Sequence, residues 1–152
     1  MIVKEVSIHN SKLLELISEL DRGLAINDGE EHGFYNQFNG LEELSKVFVG
    51  YIDDQAIACG GYIMINEKTA ELIRMFVNHC YRGKKYGEKL LRQIEEEIVE
   101  SGVDELILET GIKQIAAVEI YTRNGFRRIS NYGPYIGKEL SLCYTKSLKG
   151  DL

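Results

Sequence analysis

Residues 81–91 read YRGKKYGEKLL and lie between two stretches that differ in the spacing of their apolar residues. An apolar run at 72–77 precedes them, as expected for a strand. After them, apolar residues recur at the spacing of one helix face, at Leu91, Ile94 and Ile98. The pattern therefore predicts a strand, a loop and a helix, and the two glycines of the loop allow tight backbone geometry and close approach of a ligand.

This loop combines free backbone amides with local positive charge. A helix that begins near Tyr86 points its unpaired N–H groups and the positive end of its dipole back at the loop. The cations around this point are Arg82, Lys84, Lys85, Lys89 and Arg92, and the carboxylate among them is Glu88. Such a turn suits a phosphate, although a solvated strand-to-helix turn explains the loop equally well when it is considered alone.

Two segments of the chain carry a family resemblance. The first is R-x-x-K-x-G at 82–87 and the second is AVEIYTRNGF at 117–126, with a strand-like run at 105–109 between them. In this order and spacing they resemble the Arg/Gln-x-x-Gly-x-Gly/Ala loop and the A-x-x-L-Y-x-x-x-G-F turn of the GNAT superfamily of N-acetyltransferases. The similarity covers roughly residues 47–148.

The resemblance implies a fold and an activity. We expect one α/β domain over residues 1–152, with the GNAT (acyl-CoA N-acyltransferase) fold of a mixed, mostly antiparallel sheet flanked by helices. The implied reaction is direct transfer of an acetyl group from acetyl-CoA to the primary amine of a small molecule, without a metal. Two alternatives stay open: acetylation of a protein N-terminus or lysine, and a non-catalytic module that binds acyl-CoA.

The resemblance also implies where the coenzyme lies. Its diphosphate is expected at the loop, and its pantetheine arm is expected along the preceding strand, bonded like an added strand. The implied coenzyme-binding residues are Met75, Phe76, Val77, Arg82, Gly83, Lys84, Lys85, Tyr86, Gly87, Glu88 and Gln114. The family usually has glycine at the position of Lys85, so we expect a rearranged contact there, in which the lysine offers its charge to a phosphate oxygen.

Two residues are candidates for the proton transfers. An alkylammonium acceptor has a pKa near that of lysine, about 10.4, so a base helps to form the free amine at neutral pH. Glu71 lies eleven residues before the first arginine of the loop, where relatives with a carboxylate base carry it; Glu109 or a water chain is the alternative. Tyr121 matches the family tyrosine that commonly protonates the departing thiolate. The structural explanation of Glu71 is an exposed strand carboxylate or one paired with Arg74. The structural explanation of Tyr121 is packing beside Phe126.

The acceptor is expected to enter past two irregular segments, at 23–40 and 132–137. Loops of this kind carry specificity, and their aromatic rings can form the wall of a pocket while nearby carboxylates favour a cation. The candidate substrate-contacting residues are Phe34, Tyr35, Glu109, Tyr132 and Tyr135.

Composition limits the remaining function classes. The chain has 152 residues and a net charge of −6, which opposes a nucleic-acid-binding surface. No apolar run is long enough to span a membrane and no signal-peptide core is present, so we expect a cytoplasmic protein. The three cysteines and three histidines lack disulfide or metal-ligand spacing. A homodimer is left open.

The remaining periodicities predict the order of elements. A helix at 11–20 has Asn10 or Ser11 as its cap and presents Leu13, Leu14, Ile17 and Leu20 to the core. The other predicted elements are strands at 2–8, 46–52, 56–65, 70–77, 105–110, 126–130 and 140–146, and helices at 86–101 and 114–124.

Overall fold

The structure describes residues 1–28 and 41–149 of this computed structural model, and they contain seven strands, three α-helices and two short 3-10 helices. In order, the strands and α-helices are β1 Ile2–Val6, α1 Ser11–Asp28, β2 Lys46–Ile52, β3 Gln55–Met64, β4 Thr69–Val77, α2 Tyr86–Glu100, β5 Glu105–Gly111, α3 Ile115–Arg123, β6 Arg127–Ile129 and β7 Ser141–Ser147. Each predicted strand and helix is confirmed, with shifts at the ends. None of these helices is long and apolar enough to cross a bilayer.

All strands belong to one sheet, in the order β1-β2-β3-β4-β5-β7-β6. Every neighbouring pair is antiparallel except β4 and β5, which are parallel. A parallel pair needs a crossover connection, and α2 provides it between β4 and β5. The predicted mixed, mostly antiparallel sheet is therefore confirmed.

The parallel pair separates soon after it forms. β4 and β5 are paired only from Thr69–Glu105 to Glu71–Ile107, although β4 stays with β3 as far as Val77. β5 likewise stays with β7 to its last residue. A wedge therefore opens between the two strands beyond Glu71.

A bulge in β4 lies beside this wedge. The register between β3 and β4 shifts by one residue, so that Arg74 and Met75 both lie opposite Gly60. Arg74 has a positive φ of 60°, and such a bulge increases the local twist of a strand. A side chain at Gly60 would bring its first carbon to 2.1 Å from the sulfur of Met75, so the Met75 side chain would have to move to admit it.

Helices cover both faces of the sheet. α1 packs its buried residues against β2 and β3, and α2 packs on the opposite face. The α1 cluster contains Leu13, Leu16, Ile17, Val47, Val49 and Cys59. The α2 cluster includes Leu90, Leu91, Ile94, Ile98, Leu72, Leu106 and Leu108. Each such side chain contributes about 1.5–3 kcal/mol through burial, so these two layers fix the helices on the sheet.

α1 differs from its prediction in length and inner face. It continues to Asp28, through Gly23, where the sequence predicted an irregular segment. Leu24 extends the apolar spacing by one turn, and a glycine on an exposed helix face costs only about 1 kcal/mol. Leu14 is 41% exposed and Leu16 is 3% exposed, so Leu16 takes the predicted core position. Asn10 is the cap, because its Oδ1 accepts from the N–H of Leu13 at 3.0 Å.

Candidate active site

A cavity of about 690 Å³ lies in the wedge between β4 and β5. Its walls come from α1, β3, β4, β5, α3 and the segment before β7, and its volume lies in the range of small-molecule sites. Seven residues predicted for the site line it together: Glu71, Met75, Glu109, Gln114, Tyr121, Tyr132 and Tyr135. The candidates Phe34 and Tyr35 lie outside the described residues.

Glu71 lies where the two strands separate, and its partner is Tyr132. The Tyr132 hydroxyl donates a hydrogen bond to Oε2 of Glu71. Burial raises the pKa of Glu71 above its ordinary value, and the hydrogen bond from Tyr132 lowers it by a smaller amount. The expected alternative, a pair between Glu71 and Arg74, is wrong. Nη2 of Arg74 instead donates to Oδ1 of Asp21 on α1, at 2.8 Å.

Tyr121 packs against Phe126 and also lines the cavity, so its position fits both the structural and the catalytic explanation given above. Its ring packs edge-to-face on Phe126, with the ring centres 5.4 Å apart, and its side chain also lines the cavity. Burial raises the pKa of Tyr121 far above the ordinary tyrosine value. The phenol therefore keeps its proton at neutral pH.

Tyr132 and Tyr135 form one side of the cavity in the turn before β7. Their rings are in a T-shaped contact, with centres 5.8 Å apart. Burial raises the pKa of the Tyr132 phenol, and the charge of Glu71 adds to this effect. Glu109 lines the cavity from β5. The sequence placed Tyr132 near the acceptor but gave no sign that it binds Glu71, since the two residues lie on elements far apart in the chain.

The loop at 81–91 has the predicted strand, loop and helix geometry. Gly83 has a φ of 80°, and Lys85, directly before α2, has a φ of 65°. The side chain of Lys85, the residue before α2, makes no capping hydrogen bond, so it leaves the amides of the first turn available to a ligand. A side chain at Gly87 would lie 3.3 Å from Val77 and 3.5 Å from Ile120. This glycine therefore also permits close packing of α2 on β4 and α3.

Charges around the loop favour an anion. The Glu88 carboxylate is buried and accepts hydrogen bonds from Arg123 of α3, so it does not cancel the cations of the loop. Arg82 is exposed; its Nε donates to the Val77 carbonyl at 2.9 Å and its guanidinium lies over the Phe76 ring. Lys84 is exposed as well. Positive charge and free amides therefore meet at one helix start, as a diphosphate requires.

The edge of β4 fits the pantetheine arm of the expected coenzyme. Beyond Glu71, β4 has no strand partner among the described residues on the side that faces β5, and this stretch contains Met75, Phe76 and Val77. Gln114 directly precedes α3, is half-buried and lines the cavity without capping the helix by its side chain. An open strand edge that leads from the uncapped helix to the cavity fits an extended pantetheine arm.

Lys85→Gly should stabilise the fold by about 0.5–1 kcal/mol. A lysine with positive φ is strained by its side chain, whereas glycine adopts this conformation freely. Urea unfolding of the variant measures the gain, with Lys84→Gly as the control, because Lys84 does not have a positive φ. Equal free energies of unfolding for Lys85→Gly and the parent would contradict the strain argument.

Comparisons with known proteins agree with this geometry. Residues 13–126 match the model of the Acetyltransferase (GNAT) family. The chain is 33% identical over 141 residues to an IAA acetyltransferase of Azospirillum brasilense, covering 90% of each chain. A solved structure assigned as an acyl-CoA N-acyltransferase, from Klebsiella pneumoniae subsp. pneumoniae MGH 78578, matches with a TM-score of 0.83, 26% identity and 97% coverage of each chain.

A further solved structure holds the expected co-substrate. It is a GNAT family acetyltransferase from Elizabethkingia anophelis with acetyl-CoA bound, with a TM-score of 0.70, 14% identity, and coverage of 96% of this chain and 97% of that one. At this identity the match bears on the fold alone. Since the family model spans most of the chain and the Azospirillum relative matches nearly all of it, the chain belongs to the GNAT family of acetyltransferases.

Proposed function

We propose that this protein transfers an acetyl group from acetyl-CoA directly to the primary amine of a small molecule. The observation that carries the proposal is the pairing, in one cavity, of a half-buried carboxylate with a buried phenol, Glu71 and Tyr121. These are the two groups that amine acetylation needs, a base and an acid. The name of the Azospirillum relative, an IAA acetyltransferase, supports a small-molecule acceptor.

Different residues around the wedge bind different parts of acetyl-CoA. The amides at the start of α2, with Arg82, Lys84 and Lys85 nearby, hold the diphosphate. The open edge of β4 at Met75, Phe76 and Val77 bonds the pantetheine arm, and the Gln114 amide bonds it from the side of α3. Acetyl-CoA supplies the acetyl group as a thioester, and this path places the thioester end in the cavity.

Glu71 and Tyr121 then carry the two proton transfers. Glu71 takes a proton from the acceptor ammonium, so that the nitrogen lone pair attacks the thioester carbonyl. A new C–N bond forms, the C–S bond breaks, and the Tyr121 phenol gives its proton to the departing sulfur. The second proton of the attacking nitrogen then returns to the phenolate, which leaves a neutral amide, the free thiol and a neutral phenol. The raised pKa of Glu71 helps, because a base whose pKa lies closer to the working pH accepts a proton more effectively.

The cavity favours a cationic acceptor. The carboxylates of Glu42, Glu43, Glu71 and Glu109 all line it, so an ammonium group is attracted to the place where it is deprotonated. Part of the volume of about 690 Å³ is needed for the end of the pantetheine arm, which leaves room for a small acceptor.

The test is acetyl transfer by the purified protein. Thiol release from acetyl-CoA is followed across a panel of small amines, and products are identified by the mass of the added acetyl group. We expect acetyl-CoA to raise the Tm, as a ligand of the native state does, and at least one amine to be acetylated. A raised Tm without acetylation of any amine would favour a non-catalytic acyl-CoA-binding module, and an unchanged Tm would also refute the coenzyme site.

Tyr132→Phe should move the acid limb of the pH profile of kcat/KM to higher pH. The Tyr132 hydroxyl lowers the pKa of Glu71, so its removal raises that pKa, and the base becomes protonated at a higher pH. Activity is therefore lost earlier as the pH falls. The profile is measured against the parent with the same acceptor, so that titration of the amine cancels. Tyr51→Phe, away from the cavity, serves as the control, and an unmoved limb in Tyr132→Phe would contradict this coupling.

A further inference from the structure

The wall of the cavity contains one buried guanidinium, which no step of the proposed reaction uses. It belongs to Arg74, whose side chain is 2% exposed and which lines the cavity from the bulge of β4. The other charged residues that line it are the carboxylates Glu42, Glu43, Glu71 and Glu109. Arg74 is thus the one cation among the described residues that line this space.

Asp21 accepts a hydrogen bond from only one nitrogen of this guanidinium. Nη2 of Arg74 donates to Oδ1 of Asp21, and the Asp21 side chain is 40% exposed. The buried Nε and Nη1 have no hydrogen-bond partner among the described residues. A guanidinium carries five N–H donors, and leaving charged donors buried without acceptors is unfavourable. Arg74 therefore keeps unpartnered charged donors in the wall of a cavity that has to receive a substrate.

We propose that Arg74 binds a carboxylate of the acceptor, so that the preferred acceptors are amines that also carry a carboxylate, as amino acids do. The proposal rests on the proposed function and names its substrate class. Guanidinium and carboxylate match in shape and charge, and two buried nitrogens of Arg74 lack an acceptor among the described residues. A movement of this side chain towards the cavity would let a carboxylate supply the missing acceptors.

The positions of the charges fit a zwitterion. Glu71 and Arg74 lie three residues apart on the same strand, so about 10 Å of backbone separates them before their side chains converge on the cavity. An ammonium beside Glu71 and a carboxylate beside Arg74 would each have an opposite charge. An amine without an acid would leave the Arg74 donors unpaired, and a site built to bond a polar group discriminates against analogues that lack it.

The first experiment uses the unaltered protein and matched pairs of acceptors. Each α-, β- or γ-amino acid is compared with its own carboxamide, and kcat/KM is measured for both. We expect the acid to be preferred by about 10-fold or more, as for a hydrogen bond between charged groups. The carboxamide has the lower amine pKa and hence more free amine at neutral pH. A preference for the acid therefore cannot arise from the reactivity of the amine.

The second experiment separates a role of Arg74 in binding the acceptor from a role in folding. Arg74→Gln should reduce the preference for the acid about 10-fold or more and change kcat/KM for the carboxamide much less. Asp21→Asn removes the same ion pair but keeps the guanidinium, so its acid preference should persist. Tm and the Kd for acetyl-CoA report the folding of each variant. If Arg74→Gln does not fold, Arg74→Lys replaces it, and a lysine should bind the acid less well because it lacks the planar fork.

The outcomes distinguish the two proposals. Equal kcat/KM for acid and carboxamide in the parent, or a preference that survives in Arg74→Gln, would overturn the carboxylate site while the acetyltransferase activity stands. Equal losses of Tm in Arg74→Gln and Asp21→Asn without any change of the preference would assign Arg74 a purely structural role. Failure to acetylate any amine, acid or amide, would overturn the proposed function and this inference with it.

Discussion

Tyr121→Phe should lower kcat by about 10²- to 10⁴-fold and leave the Kd for acetyl-CoA nearly unchanged. The substitution removes only the hydroxyl. The ring that packs edge-to-face on Phe126 remains, so the local core should keep its shape. Because the Tyr121 phenol is the proposed proton donor to the departing thiolate, the loss should fall on the chemical step. Single-turnover kinetics measure that step directly, and calorimetry measures the affinity for acetyl-CoA.

The control for Tyr121→Phe removes a different phenol. Tyr51→Phe, on β2 and outside the cavity, should keep the parent kcat. If the rate constant of the chemical step in Tyr121→Phe equals that of the parent, Tyr121 is not the acid and its role is packing against Phe126. If kcat and the coenzyme affinity fall together, the hydroxyl serves binding rather than proton transfer.

Glu71→Gln should lower kcat/KM at neutral pH by about 10²-fold or more. The amide keeps the size of the side chain and can still contact the Tyr132 hydroxyl, but it cannot accept a proton from the acceptor. The pH dependence should change as well. In the parent, activity falls as the pH drops through the raised pKa of Glu71, and in the variant this contribution to the acid limb disappears.

Two further variants make the assignment of Glu71 specific. Glu109→Gln tests the rival carboxylate on β5, and we expect a smaller loss with the acid limb retained. Glu67→Gln, in the turn between β3 and β4, changes the net charge equally and should leave kcat/KM close to that of the parent. A parent-like acid limb in Glu71→Gln, together with its disappearance in Glu109→Gln, would transfer the role of base to Glu109.

Much of the fold was predictable, because its signals are local. The loop at 81–91 and the helix after it are visible in the spacing of apolar residues and glycines, and the structure has α2 at Tyr86–Glu100. The prediction failed at the end of α1, where Gly23 suggested a break. Packing of the neighbouring leucines on the sheet outweighs the cost of one glycine in a helix.

The sequence named several residues that the structure brings to one cavity, but it did not predict the contacts between them. Residues such as Glu71, Tyr121 and Tyr132 were named from the family motifs and from loop position, and the structure places them around one cavity. Their partners depend on which strands are neighbours. From the sequence, a pair with Arg74 was one structural alternative for Glu71, whereas in the structure Arg74, at the bulge of β4, bonds Asp21.

The sequence by itself determined the order of strands and helices, the loop proposed to bind a diphosphate and the two residues proposed for proton transfer, because periodicity, turn residues and motif spacing all act over short stretches of chain. Only the tertiary structure decided that β4 and β5 separate beyond Glu71, that Tyr132 bonds this carboxylate, and that Arg74 is buried with unused donors. The Glu71–Tyr132 contact joins residues 61 positions apart, and the Arg74–Asp21 contact joins residues 53 positions apart. Such pairs exist only after the sheet has assembled and the two helices have packed on its faces.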